Sequence, residues 1–401
     1  MKQILKEKSI PPGELKKIAA YLPERETALK GTDIIPVCEP DISGNEKEYL
    51  LKAIKSSWIS STGEYVGLFE RKFAEKVSGT KYAVAVNSGT SALHTALAAC
   101  GIGPGDEVIV PAFTMIASIN PVSYCGAKAV LVDADARTWN IDGSRIEEKI
   151  SEKTKAIIAV HVYGLPADMS EILSLAKKYK LWVIEDAAEA HGARYHGQKA
   201  GSIGDVGAFS LYANKLITTG EGGMVTTNNY RLNERSRTLV NSAFSPERHF
   251  WHKMIGFGYR MTNLQAAVGV GQTERFDYFF GKKQQIAGWY KEKLEKIPGV
   301  GFQSVPLKTV HSHWMNAVLI DRRRFGINRN KLRRYLAQNG IETRSFFVPI
   351  HLQPVYYRVY RNERFPVAEK LCRDGLYLPS STRLTEQNVD RIARLIEKSR
   401  K

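Results

Sequence analysis

Cysteine is scarce in this chain: only Cys38, Cys100, Cys125 and Cys372 occur among 401 residues. They lie far apart and form neither a CxxC pair nor a metal-ligand spacing, which argues against a disulfide scaffold and against a structural zinc site. Partly buried thiols in a reducing cytoplasm are the expected alternative, and no bound metal is expected. A long apolar run is also lacking, so no membrane span is expected, since spanning takes about 20 apolar residues. The first residues, MKQILKEKSIPPGELKK, have no apolar stretch of the kind that marks a signal peptide. Acidic residues are few beside basic ones, 41 against 58, leaving a net charge of +17. Such a chain attracts anions. Zinc-finger spacings and interleaved basic–aromatic runs are lacking too, and the basic residues are dispersed, so phosphorylated small molecules are expected as partners and nucleic acid is not.

What is present suits a large soluble fold. Hydrophobic residues make up 43% and charged residues 25%, proportions with which a chain of this length can bury a sizeable core. Residues 1–33 read as a separate arm, rich in Lys and Glu, broken at Pro11-Pro12, with a short helix over 13–21. Helical patterns follow at 46–56 and 64–77. Strand-like runs at 82–86, 107–111, 129–133, 156–162 and 181–185 then alternate with helix-like stretches at 90–100, 115–124 and 168–179. That alternation predicts an α/β fold with a mixed, mostly parallel sheet flanked by helices. Long helices over 262–297 and a strand–helix pattern beyond Pro298 predict a smaller C-terminal α+β domain. The expected boundaries are 34–265 for the large domain and 266–401 for the small one.

Three segments carry chemistry. The first, Asn87-Ser88-Gly89-Thr90-Ser91-Ala92-Leu93, follows a strand and opens a helix. Small residues at a helix N-terminus leave backbone N–H groups free for a phosphate. A plain Ser/Thr cap fits the same letters. The second is Val183-Ile184-Glu185-Asp186-Ala187-Ala188-Glu189-Ala190-His191-Gly192. An acid at the C-terminal end of an apolar strand sits where open α/β sheets bind ligands. There Asp186 could pair with a protonated ring nitrogen, or merely cap a helix. The third runs from Gly207 to Lys215 and on to Thr218-Thr219-Gly220-Glu221-Gly222-Gly223. A lysine between Ser210 and a glycine-rich loop is placed for Schiff-base chemistry once it is shielded from water.

Together these segments resemble the sugar aminotransferases of the DegT/DnrJ/EryC1/StrS family, within the fold-type I pyridoxal-phosphate (PLP) enzymes. FSLYANKLITTGEGGMV is the most specific piece; WISSTGEYVGLFE, VPAFTMIASINPV, HVYGLPADM and YRMTNLQAAVGVGQ support it. The resemblance covers roughly residues 34–400. It implies that Lys215 holds the cofactor covalently and that Asp186 faces the pyridine nitrogen. Gly89, Thr90 and Ser210 would bind its phosphate. Glu189 would lie near the phenolic oxygen, and Met115 would pack where many members place an aromatic ring. For the sugar, the resemblance points to the segment of Trp58, Ser60, Ser61 and Gly63, and to His161, Arg260 and His351. His313, Arg344, Tyr212 and Asn214 are further candidates, and His191 is read as a possible partner of Asp186.

One position departs from the family. Its members usually read G-Y-N-Y-R-M, with the Asn reaching the cofactor phosphate of the neighbouring subunit; here the segment is Gly256-Phe257-Gly258-Tyr259-Arg260-Met261. The resemblance nevertheless implies a homodimer with active sites at the subunit interface. It is nearest to perosamine-synthase-like members, which aminate C4 of a GDP-linked 4-keto-6-deoxy sugar, with L-glutamate as donor. A dTDP- or UDP-linked keto sugar, a PLP-dependent sugar dehydratase and a non-catalytic PLP-binding regulator are the alternatives. Lys215 speaks against the dehydratase, whose members carry histidine there.

Overall fold

The computed structural model describes residues 33–245, 247, 248 and 250–400, preceded by Glu14, Ile18, Ala19, Tyr21 and residues 28–30. Glu14 and Ile18 are helical, and the rest of the helix expected over 13–21 lies largely outside the described residues. Ile18 is buried against Leu352 and Tyr357.

Short apolar runs become strands because β-branched and small residues suit a pleated, fully covered surface. These are β1 (Tyr82–Val86), β2 (Glu107–Pro111), β3 (Lys128–Val132), β4 (Thr154–Val160) and β5 (Trp182–Asp186). A tight hairpin, β6 (Arg194–Tyr195) and β7 (Gln198–Lys199), separates them from β8 (Val206–Ser210) and β9 (Gly223–Thr227). The first two coincide with the expected runs, and the next three differ by one or two residues at their ends.

Seven of these strands form one sheet in the order β1-β9-β8-β5-β4-β2-β3. Only β9 runs antiparallel to its neighbours, β8 and β1; the remaining pairings are parallel. Helices cover both faces. On one, helix Gly89–Ala99 packs over β8 and β9, in a core with Phe113, Trp139 and Tyr163. On the other, helices Glu64–Phe73 and Asn263–Glu274 bury Phe69, Phe73, Phe209 and Met224.

A second, antiparallel sheet contains β10 (Val300–Phe302), β12 (Asn316–Ile320), β13 (Arg344–Ser345) and β14 (Gly375–Leu378), in the order β10-β12-β14-β13. The short β11 (Thr309–Val310) instead joins the β6–β7 hairpin. Helices Phe276–Leu294, Arg329–Gln338 and Glu386–Lys398 pack on the second sheet through a separate apolar core.

The helix expected over 115–124 is broken. A single 3₁₀ turn, Ile116–Ser118, precedes a short helix, Asn120–Tyr124, with Pro121 in its first turn. Proline lacks the N–H that would continue the earlier turn. The break directs Ser118 inward, where it is buried.

Candidate active site

A cavity of about 350 Å³ opens where β4, β5 and β8 end and helix Gly89–Ala99 begins. This is the C-terminal edge of the parallel strands, where open α/β sheets leave a crevice between diverging connections. Gly89, Thr90, Met115, Asp186, Glu189, Ser210 and Lys215 all line it. The three sequence segments, the first of them about ninety residues before the other two, therefore converge on one space. A groove of about 500 Å³ on the C-terminal helix, lined by Arg391, Arg394 and Leu395, has no comparable convergence.

Lys215 sits in the loop after β8, its side chain only 10% exposed. Its backbone N–H donates to the Tyr212 carbonyl, closing a turn that aims the side chain inward. Nζ lies 3.7 Å from the centroid of the Trp314 ring and 4.0 Å from Glu189 Oε1. Burial holds the amine below the usual lysine pKa, while the carboxylates of Glu189 and Asp186 oppose that shift. A lysine so shielded is a better nucleophile at neutral pH than a solvated one.

Asp186 is the last residue of β5, and the start of the next turn binds its carboxylate. Ser118 Oγ donates to Oδ2 at 2.6 Å, and Ala188 N–H donates to Oδ1 at 3.2 Å. Thr114 Oγ1 and Ser118 Oγ lie 2.7 Å apart, extending the chain of hydroxyls. Burial pushes the Asp186 pKa up, and those donors together with Lys215 and His161 pull it back. Glu189 is held by Tyr163 N–H, which donates to Oε2 at 2.7 Å. Tyr163 adopts φ 56°, a left-handed conformation costly for a bulky residue and a mark of local strain beside the cavity. Burial raises the Glu189 pKa against the pull of Lys215.

The opposite end of the cavity is a cradle of backbone. Ser88 caps helix Gly89–Ala99, its Oγ accepting from Ser91 N–H at 3.1 Å. The cap and the anion site are thus compatible: Ser88 serves one N–H, and the first-turn donors of Gly89 and Thr90 have no intrahelical partner. A Cβ on Gly89 would stand 2.8 Å from Ser210 Cβ, so only glycine lets the helix start approach β8 this closely. Amine, buried carboxylate and N–H cradle together suit a flat ring bearing an aldehyde, a basic nitrogen and an anionic group.

Other expected site residues lie elsewhere. His161 and His351 are not among the residues that line the cavity. His161 is fully buried: its Nδ1 accepts from Ala167 N–H at 3.1 Å, so Nε2 carries the proton and donates to Glu185 at 2.9 Å. Both nitrogens are spent on holding the sheet edge. His351 is buried against Phe365 with Nε2 3.2 Å from Glu369, away from the cavity lining. Trp58, Ser61 and Arg260 stand outside the cavity of the protomer. The carbonyls of Trp58 and Ser60 accept from the Asn263 side chain and backbone. Arg260 is exposed and donates to Asn241 and Ser242. Gly258 is exposed as well, and a Cβ there would meet no atom within 4 Å.

His191 does not bond Asp186. Neither ring nitrogen has a hydrogen-bond partner among the described residues, the approach to the Ser210 backbone falling short of hydrogen-bond geometry. Tyr212 and Asn214 do line the cavity, whereas His313 faces a different one and Arg344 pairs with Glu342 at the surface. Sequence reasoning missed Ser118, Trp314, Phe347 and Tyr377, which also line the cavity. The last three come from the second sheet and its connections, and carry no local motif.

The DegT/DnrJ/EryC1/StrS aminotransferase family profile matches residues 40–397. A GDP-perosamine synthase of Caulobacter vibrioides is 46% identical over 359 residues, covering 89% of this chain and 96% of that protein. Among solved structures, S. venezuelae DesV in complex with a ketimine intermediate superposes with a TM-score of 0.86 at 34% identity, covering 92% of this chain and 98% of that one. A putative sugar aminotransferase from Streptococcus pneumoniae, in its PLP form, gives a TM-score of 0.86 at 27% identity, covering 92% and 98%.

Proposed function

The chain belongs to the DegT/DnrJ/EryC1/StrS aminotransferase family, and on that premise we propose that it transfers the amino group of L-glutamate to C4 of a GDP-linked 4-keto-6-deoxy sugar, with pyridoxal 5'-phosphate as cofactor. That it is an enzyme of amino transfer follows from the family; the cofactor, donor and sugar are our reading. Support for the sugar comes from the perosamine synthase of Caulobacter vibrioides, alike over nearly its whole length. Support for the cofactor comes chiefly from one observation: a buried lysine, a buried aspartate and a helix N-terminus line the same cavity.

When bound, the cofactor supplies a conjugated ring that accepts electrons from the carbon losing its proton. Lys215 would hold it covalently, and the Lys215 amine, once displaced by the donor, would take the proton from the donor's Cα. Asp186, whose charged form the Ser118 hydroxyl favours, would hold the ring nitrogen protonated. Gly89, Thr90 and Ser210 would bind the phosphate, Glu189 would face the phenolic side, and Met115 would pack on the ring.

We also propose a homodimer, with a large unit over 34–265 and a smaller one over 266–401. Phe250 and Ile255 are 76% and 88% exposed, and Trp251 and Met254 are exposed beside them. A second copy is the economical cover for such an apolar surface. In that arrangement Trp58, Ser61 and Arg260 would serve the partner's cavity. Four unpaired thiols suit a cytoplasmic setting.

The test is a half-reaction panel. Protein loaded with the amine form of the cofactor is mixed with GDP-, dTDP- and UDP-linked keto sugars, and return of the aldehyde absorbance is followed. The GDP sugar should restore it fastest; equal or faster return with another nucleotide would move the assignment to that nucleotide. No return with any sugar would defeat the proposal.

A further inference from the structure

Lys215 is buried against a tryptophan that the cofactor chemistry does not call for. We propose that Trp314 is a positioning residue for Lys215: its indole face is the seat on which the amino group rests whenever it is not joined to the cofactor. The inference rests on the reading of Lys215 as the cofactor lysine.

Nζ stands 3.7 Å from the ring centroid, well inside the distance of about 6 Å at which a cation is attracted to an aromatic face. Trp314 itself is 4% exposed, so water does not compete there. The ring is fixed from both ends. Its indole N–H donates to the carbonyl of Asn214, the residue before Lys215, at 2.8 Å. Its backbone carbonyl accepts from Lys283 Nζ at 2.8 Å. Lys283 is a second buried lysine, 2% exposed, whose ammonium also donates to the Ser380 carbonyl. Tyr163 stacks beside the indole, centroids 6.3 Å apart and planes 21° apart. One buried lysine thus pins the backbone of the residue whose ring receives the amino group of another.

Such a seat has a use in each half-reaction. An amine freed inside a cavity with two carboxylates would otherwise settle on one of them. Glu189 Oε1 is 4.0 Å from Nζ; Asp186 and Cys38 are the other titratable groups whose charge Lys215 feels, and His191 feels the charge of Lys215. The indole face attracts the ammonium without accepting its proton, so the amine stays in the cavity, 4.0 Å from Glu189. Burial favours the neutral amine, and the ring counters it.

The test uses the full chain freed of cofactor. Competitive acetylation across a pH series, read at the Lys215 peptide by mass spectrometry, gives the protonation midpoint of that amine. Tryptophan is replaced uniformly by 5-fluoro- and then trifluorotryptophan, which weaken the ring's attraction for cations while keeping its shape. Trp314→Phe and Trp314→Leu are measured alongside. The Lys215 midpoint should fall stepwise with fluorination, and by about one pH unit in Trp314→Leu, with Trp314→Phe between. Coincident profiles in the fluorinated series overturn the proposal, and that series remains decisive if the leucine variant does not fold. The underlying reading is tested apart: borohydride should tag Lys215 of the cofactor-loaded protein, and failure there defeats the assignment of the lysine while the acetylation series still decides the seat.

Discussion

Ser118 Oγ donates a 2.6 Å hydrogen bond to Asp186 Oδ2 at the buried end of β5. The hydroxyl stabilises the charged carboxylate against burial, which pushes the Asp186 pKa upward. The ionised form exists above that pKa and is lost as pH falls through it. Ser118→Ala should therefore raise the pKa further, because a hydrogen bond to a charged group contributes about 1.5–3 kcal/mol. The expected outcome is an acid limb of the amino-donor half-reaction displaced upward by about one pH unit or more. Stopped-flow pH profiles of wild type and variant check this.

Asp186→Asn keeps the size of the side chain and its ability to accept from Ser118. It removes the negative charge that would hold a ring nitrogen protonated. Turnover should fall by roughly 10²–10³, the scale of losing one aimed electrostatic group, with the melting temperature little changed. Single-turnover rates and thermal unfolding measured on the same preparation separate the two effects.

Glu185 precedes Asp186 and is fully buried. Its two oxygens accept from the N–H groups of Gly201, Ile203 and Gly204 and from His161 Nε2, at 2.7–2.9 Å. Glu185→Ala would leave those donors unpaired inside the protein, each at about 1–3 kcal/mol. We expect a loss of at least about 3 kcal/mol in urea unfolding, together with weaker cofactor retention, since the backbone N–H of His161 donates to the Asp186 carbonyl. Unchanged stability would contradict the role given to this network.

His191 packs between Phe73 and Phe209 with both ring nitrogens unpartnered, and burial drives its pKa down to about 3. The folded protein thus refuses a proton that the unfolded chain accepts near pH 6.5. Stability should fall as pH drops from about 6.5 toward 3, at up to about 1.4 kcal/mol per pH unit from this group. His191→Phe should flatten that slope by one proton's worth. Unfolding free energies at pH 7, 6 and 5 measure the difference.

Much of the site was legible because its chemistry is local in sequence. The segments around Thr90, Asp186 and Lys215 each combine a strand end with small residues, and that pattern is short enough to read directly. Ser118 was not legible, since its direction depends on a helix that breaks at Pro121. Trp314 lies 99 residues beyond Lys215 and reaches it only through the packing of the second sheet's connections. The surroundings of His161 and His351 were not legible for a like reason: an imidazole's partners decide its role, and those partners, Glu185 and Glu369, are visible only once the chain is folded.

The sequence by itself determined the class of fold and the three chemical segments, the lysine we propose for the cofactor among them, because strand periodicity and glycine-rich turns are properties of neighbouring residues. The tertiary structure alone decided what surrounds that lysine. Burial, the aromatic face above the amine and the hydroxyl on the aspartate arise from contacts between distant segments, and a protonation equilibrium responds to those contacts, not to the order of residues along the chain.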